Sequence, residues 1–502
     1  MLQITFLGHQ GFMVETDSTR VLIDPLLGDG FGHRGLCGVL HPPRRIDIEA
    51  FPPVDAVVIT HEHDDHFDVP SLACLDRAIP IHLSARSSDA AHALLRELGS
   101  GGEPLQPEAE LAIGDLHFHT FVADHRDGRN GDEWDVVPFL VRDAAGHGSL
   151  LSSVDVRPSP AMLARLPRLA ARAGIWAHAN NVTSDAFQRA TPLLPADPDA
   201  DDASVQTEQD AMLGVVARRH DALERAWGTP VAGLVVGGGW SFGGERAWLD
   251  HHAFPLSCER IAADLADRCP RGRFFAPAPG QAFVMREGRL VAERPRGDFI
   301  AALPRAQWPA REFRGDHARL SDYAPACGRR TLCATALERL QHELRDLARH
   351  LHGSAVFRSL CSLPTGPVEG RLPALALSLR NGSEPVVLRY HPGGCGFVVH
   401  HAADPIEAFM SGLELWASDL LALIDGELSP SALCYVGRMR TWNHDPQRLW
   451  VSPNLLWTLA HPLRRPEAAA VLYRRLLADV PPGAPRIRAR SPREGLGSSE
   501  QS

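Results

Sequence analysis

The chain has 502 residues, 44% of them hydrophobic and 22% charged, with a formal net charge of −10. That length exceeds one ordinary core and implies a globular protein of two or more domains. The modest acidic charge argues against nucleic acid as the main partner. All 51 basic residues are arginine, which excludes lysine Schiff-base chemistry and a P-loop.

The opening residues, "MLQITFLGHQGF", read as a strand rather than a secretory leader. "GFMVETD" and "RVLIDPLL" continue as strands, and a Pro-rich loop leads to "AVVIT". "FDVPSLACLDR" is a short helix with Asp68 as its N-cap. "IPIHLS" is a strand, and "SSDAAHALLRELG" is a helix opened by serine and closed by Gly99. "LHFHTFVADH", "VVPFLVRD" and "GSLLSSVDV" are further strands. "PAMLARLPRLAARAG" is helical and "IWAHANN" a strand. The acidic run "LPADPDADDASVQTEQD", residues 194–210, reads as a surface loop or mobile insertion. "VAGLVVGGGW" is a strand ending in glycines, with Trp240 and Phe242 as candidate pocket walls. "SCERIAADLADRC" is an amphipathic helix, and "RFFAPAPGQAFVMREGRLV" is a closing strand and hairpin.

From about residue 300 the pattern changes. "TLCATALERLQHELRDLARHL" is a long amphipathic helix, and "PALALSLRN" and "EPVVLRYH" form a hairpin turning at "NGSE". "PIEAFMSGLELWASDLLALIDGEL" reads as one helix and "PEAAAVLYRRLLADV" as the last. The expected organisation is α/β over residues 1–295, a smaller α+β accessory domain over 300–480, and a disordered tail over 481–502. No stretch reaches the roughly 18 apolar residues that span a membrane. Nine cysteines without a CxxC point to reduced thiols in a cytoplasm.

The chemistry concentrates in "THEHDDHFD", residues 60–68, directly after the apolar run "VDAVVI". Three histidines and four acidic side chains in nine positions are costly to bury unless they bind something. If the chain leaves the strand extended, His61 and His63 face the same side and grip one cation. Asp65 and His66 then lie at the turn into the next helix and grip a second. Imidazole and carboxylate suit zinc, with iron or manganese also accepted.

The spacing H-x-H-x-D-H after a strand resembles the signature of the metallo-β-lactamase superfamily. "LGHQGFMVETDSTRVLIDPLL" is similar to the N-terminal strands of its lactonase- and phospholipase-like branch, and the resemblance spans roughly residues 1–295. It implies an αββα sandwich. It implies that Asp24 supports the histidine loop from behind, that His125 rather than His117 or His119 completes the first metal's triad, and that Asp155 in "SVDV" bridges two metals. Val154 stands where that segment carries glycine. Such proteins end with P-x-H, and here Pro279 replaces the histidine. His251 or His252 is the substitute ligand, or else the second site is incomplete; the same pair is the candidate acid for a leaving group. One tight and one weaker metal site are expected. "FAPAPGQAF" is also similar to the corresponding segment of CMP-N-acetylneuraminate hydroxylases, which use iron and oxygen, although the C-x-H pairs of a Rieske cluster are absent.

The resemblance therefore implies a metal-dependent hydrolase acting on an ester, lactone, amide or phosphodiester of a small molecule. An iron oxygenase with a separate electron donor is the alternative, and a non-catalytic partner-binding member is the third. Substrate and oligomeric state are left open. The histidines of the second part, His391, His400, His401 and His444, lack ligand spacing and are assigned to the surface.

Overall fold

A computed structural model describes residues 1–123, 134–170, 174–180, 202–242, 254–309, 331–353, 369–435, 439–444 and 459–490, apart from a few single positions. Two seven-stranded sheets dominate. The first runs Arg289–Pro295, Gln281–Arg286, Leu2–Gly8, Gly11–Glu15, Arg20–Ile23, Ala56–Ile59, Ile81–Leu83. The second runs Arg273–Phe275, Ala232–Val236, Ile175–Ala179, Ser149–Ser152, Phe139–Asp143, Leu116–Thr120, Glu110–Ile113. Both mix antiparallel hairpins with parallel pairs.

Period-two alternation decides what each strand contributes to which layer. Ile4, Phe6, Val14 and Val58 face Phe118, Val141, Leu150 and Leu234 between the sheets. Leu7, Leu22, Val57 and Ile59 point to the other side, under the helices Val69–Ala73 and Asp89–Glu97. The far face of the second sheet is covered by Pro160–Leu169, Asp202–Trp227 and Cys258–Arg268. The four layers make an αββα sandwich. Strands buried on both faces read as continuous apolar runs, as "AVVI" does.

The accessory part is a five-stranded sheet in the order Gly396–Val399, Glu384–His391, Leu372–Asn381, Phe409–Trp416, Met439–Asn443. Helix Ala334–Gly353 supplies Leu340, Leu344 and Leu347 to its core. The hairpin at "NGSE" is present, with Asn381 opposite Glu384 and Gly382 at φ +84°. The single helix expected over 405–428 is instead helix, strand, helix: Pro405–Ala408, Phe409–Trp416, Ala417–Ile424. Phe409–Trp416 pairs parallel with Leu372–Asn381 and antiparallel with Met439–Asn443. A central position in a sheet overrides the helical propensity of "GLEL". The insertion expected over 194–210 is also shorter: from Asp202 onward the chain is one helix to Trp227, with Leu213, Val216 and Leu223 turned inward.

The domain boundary differs from the sequence reading as well. Ile300–Ala302 pairs with Arg44–Ile46, and helix Pro466–Ala478 packs on Asp89–Glu97 of the sandwich. Ala469, Tyr473, Leu476 and Ile487 lie in the same apolar cluster as Phe67, Leu72 and Leu94. The tail expected to be disordered from 481 is ordered to Arg490. Ile487 and Ala489 bridge to Leu75 and Val54, and Ile487 is fully buried. Residues 491–502 lie outside the described residues. The reason is coverage: the outer helices of the first sheet leave an apolar face that only the returning C-terminus closes.

A truncation follows from this. A chain ending after residue 295 removes six buried side chains from that cluster, Phe299, Ile300, Ala469, Tyr473, Leu476 and Ile487, the larger ones contributing about 1.5–3 kcal/mol each. It should be aggregated or loosely packed, read as lost near-ultraviolet dichroism and dye binding. A cooperative melt at the full-length temperature would show that the C-terminus is not part of this core.

Candidate metal centre

The strand Ala56–Ile59 delivers its end into the groove between the sheets. Thr60, His61 and His66 are fully buried and His63 nearly so. The loop is a tight turn, with the Phe67 and His66 amides both donating to the His63 carbonyl. Phe67 anchors it in the core, and Asp68 accepts from the Ser71 amide as the predicted N-cap of the next helix.

Asp24 orders this loop from behind. Its carboxylate accepts from the Thr60 amide at 2.8 Å, the Thr60 hydroxyl at 2.7 Å, and His66 Nδ1 at 2.8 Å. A ring that gives its Nδ1 proton to a carboxylate presents a bare Nε2 lone pair. Thr60 Oγ1 lies 3.0 Å from His61 Nδ1, so both rings are turned the same way. Their Nε2 atoms are buried and have no hydrogen-bond partner.

Asp155 faces them. Its Oδ2 is 3.2 Å from His61 Nε2 and 3.3 Å from His66 Nε2, and its Oδ1 accepts from the side-chain Nε2 of Gln10 at 2.6 Å. Val154 takes φ +53°, the left-handed backbone that glycine adopts freely and a β-branched residue does not. Val154 thus holds, at the position where the resembling segment carries glycine, a backbone conformation that glycine favours. Asp65 Oδ2 lies 3.8 Å from His66 Nε2.

Three overlapping sets of donor atoms fall within 4.8 Å of one another: His61, His63 and Asp65; His61, His66 and Asp155; His9, Asp65 and His66. Ligands on one cation with bonds of about 2.0–2.2 Å stand about 3–4 Å apart. The residues present therefore fit one or two cations. The charges agree. Burial alone would strip the proton from His66, but Asp65, Asp24 and Asp155 outweigh it and hold its pKa well above the usual imidazole range. Burial opposes the charge on Asp155, yet His66 and His61 hold it well below the carboxylate range. His61 is lowered by burial, then by His66 and His63.

Other predicted residues stand elsewhere. His117 pairs with Glu110 at 2.6 Å, and His119 accepts from Arg142 at 3.1 Å. His178 is a buried histidine against Trp176, its pKa pushed down to about 3 by burial and then by Arg219 and His220. Trp240 packs on His9, with ring centres 5.1 Å apart. His444 contacts the Ile406 carbonyl and His391 accepts from the Gly394 amide, both within the accessory part. His125, His251 and His252 lie outside the described residues.

The intervening loop residues also have assigned work. Glu62 accepts from the Ser88 amide and hydroxyl and from the Tyr473 hydroxyl. Burial, with Asp135 adding, raises its pKa to about 7. The Glu62 amide donates to the buried Asp135. Asp64 accepts from Ser431. Trp134 lies between His63, which it meets edge-on with ring centres 6.0 Å apart, and His461, tilted to it at 4.2 Å. The C-terminal half thus grips the alternate residues of H-x-H-x-D-H through Tyr473 and Ser431. No local pattern marks those two residues; the only signal was the acidic identity of Glu62 and Asp64.

Tyr473→Phe tests this grip. Losing one buried hydrogen bond to a carboxylate should cost about 1.5–3 kcal/mol, seen as a lowered urea midpoint with an unchanged slope. An unaltered midpoint would mean that Glu62 is held by Ser88 alone.

Residues 19–166 match the family model described as "Beta-lactamase superfamily domain". An uncharacterized protein of Mycobacterium tuberculosis is 40% identical over 76 residues, 15% of this chain and 20% of that protein. A UPF0173 metal-dependent hydrolase of Aeropyrum pernix is 29% identical over 107 residues, 21% of this chain and 39% of that protein. The chain thus spans about a fifth of the length of the mycobacterial relative. Among solved structures, an isothiocyanate hydrolase from Delia radicum gut bacteria has a TM-score of 0.37 at 15% identity, covering 57% of this chain and 99% of that one. CmlA, a diiron β-hydroxylase from Streptomyces venezuelae, has a TM-score of 0.34 at 17% identity, covering 55% and 52%. The H-x-H-x-D-H loop lies inside the residues matched by this family model, so the N-terminal part of this chain is similar to the β-lactamase superfamily domain.

Proposed function

We propose that the chain is a metal-dependent hydrolase that cleaves an ester, lactone, amide or phosphodiester of a small molecule. The observation that carries this is the pair of buried Nε2 atoms of His61 and His66 that both face the Asp155 carboxylate, at 3.2 and 3.3 Å. Zinc is the first choice of cation, with iron or manganese accepted by the same donors.

A divalent cation held there supplies Lewis acidity and lowers the pKa of a water to near neutrality. The chain's residues do the rest. His61, His63 and Asp65 bring donor atoms within reach of one cation, and His61, His66 and Asp155 within reach of another; His125 joins the first set on the strength of the sequence resemblance. Asp155, fixed by Gln10, and Asp65 accept hydrogen bonds from the attacking water and orient its lone pair. Burial excludes competing water, so charge developing on the substrate is stabilised in a low dielectric. His251 or His252, again on the resemblance, protonates the leaving group.

Elemental analysis of protein purified without added metal is the first test, followed by turnover of p-nitrophenyl acetate, a lactone and bis(p-nitrophenyl) phosphate. Bound zinc or manganese with hydrolysis of a probe supports the reading. Bound iron with oxygen uptake in the presence of a reductant selects the oxygenase. Protein that takes up no metal overturns both and leaves a non-catalytic binding role. Among the described residues no helix is long and apolar enough to cross a membrane.

A further inference from the structure

The resemblance leaves the second metal one ligand short, because Pro279 stands where the last histidine is expected, unless His251 or His252 supplies it. A different histidine stands beside that vacancy in the ligand set. His9 belongs to the turn between the first two strands, Leu2–Gly8 and Gly11–Glu15. Its φ is +52° and the residue is buried. Its Nε2 is 3.1 Å from Asp65 Oδ2, and its ring meets the His66 ring edge-on at 5.5 Å. The Nδ1 is buried with no hydrogen-bond partner. Its donor atom, with those of Asp65 and His66, forms one of the sets lying within 4.8 Å.

The protein is built closely around this ring. The Gly237 amide donates to the His9 carbonyl at 2.8 Å. A Cβ added at Gly239 would stand 2.6 Å from His9 Cα and 2.9 Å from its Nδ1, so only glycine lets the backbone lie there. Trp240 covers the outer face. The glycine run that ends the strand at Val236 therefore serves to seat His9.

We infer that His9 is the missing ligand: with Asp65, His66 and the bridging Asp155 it completes a second cation site in which the amino-terminal turn replaces the carboxy-terminal histidine. This deepens the metal-centre reading and rests on it. The competing role for His9 is a hydrogen-bond donor that merely orients Asp65. The two differ in what an amide can replace. Glutamine keeps an N–H for Asp65 and lacks the imidazole lone pair.

The experiment titrates metal-free full-length protein with Co²⁺, with bound equivalents counted by native mass spectrometry and by the visible absorption of each equivalent. The unmodified protein should bind two equivalents. His9→Ala and His9→Gln should retain the first and bind the second at least about 100-fold more weakly, beyond the effect of an ordinary supporting residue. Circular dichroism checks the fold of both variants. Independently of any variant, proton NMR of the unmodified Co²⁺ protein should show the second equivalent adding shifted N–H signals from two histidines. A His9→Gln protein that binds both equivalents as the unmodified protein does, a single added N–H signal, or an unmodified protein that stops at one equivalent would overturn the role of His9. Failure to bind any Co²⁺ would instead overturn the metal-centre reading itself.

Discussion

Asp65→Ala is expected to lose turnover of the hydrolytic probes by on the order of 10²–10³-fold while one metal ion remains bound. His63→Ala is expected to lose the first ion as well. The difference comes from position in the loop. His61 and His63 are two apart where the chain leaves the strand and their rings sit edge-on at 4.5 Å. Asp65 begins the turn, and its Oδ2 faces His9 and His66 at 3.1 and 3.8 Å. Removing it leaves His61, His63 and Asp155 in place but strips the carboxylate proposed to hold both the second cation and the water. Bound metal and turnover should be measured on both variants, with circular dichroism to confirm folding. Folded Asp65→Ala protein that turns over at the unmodified rate would show that the second site takes no part in the chemistry, leaving a mononuclear centre.

The largest stability effect should come from a residue that touches no metal. Asp24 is buried, with φ +43°, and three buried donors end on its carboxylate. Asp24→Ala leaves the Thr60 amide, the Thr60 hydroxyl and His66 Nδ1 unpaired, at a cost of about 3–5 kcal/mol. Asp24→Asn is the sharper probe. Asparagine tolerates left-handed backbone and keeps one acceptor, but its amide group presents N–H to a donor. It should fold with a smaller loss and bind metal about 10–100-fold more weakly, because His66 is no longer held with Nε2 toward Asp155. Metal titration and urea unfolding separate the two effects. An Asp24→Asn protein with unmodified affinity would mean that packing alone orients His66.

What the sequence determined by itself was local. The apolar run "AVVI" and the ligand types after it specify a buried strand that ends in metal-binding chemistry, because strand burial and donor identity are properties of a few adjacent residues. The NGSE hairpin and the Asp68 cap were legible for the same reason. Convergence over long separations was decided by the tertiary structure. His9 meets Asp65 only because the first two strands lie beside Ala56–Ile59 through Arg20–Ile23. Gln10 meets Asp155 only because the two sheets face each other. Tyr473 and Ser431 reach Glu62 and Asp64 only because the C-terminal helix returns to close the apolar face of the first sheet. Phe409–Trp416 is a strand because it has neighbours on both edges. Each of these depends on which distant segments are brought together, and a buried hydrogen bond or sheet pairing leaves no mark on the residues adjacent to it in the chain.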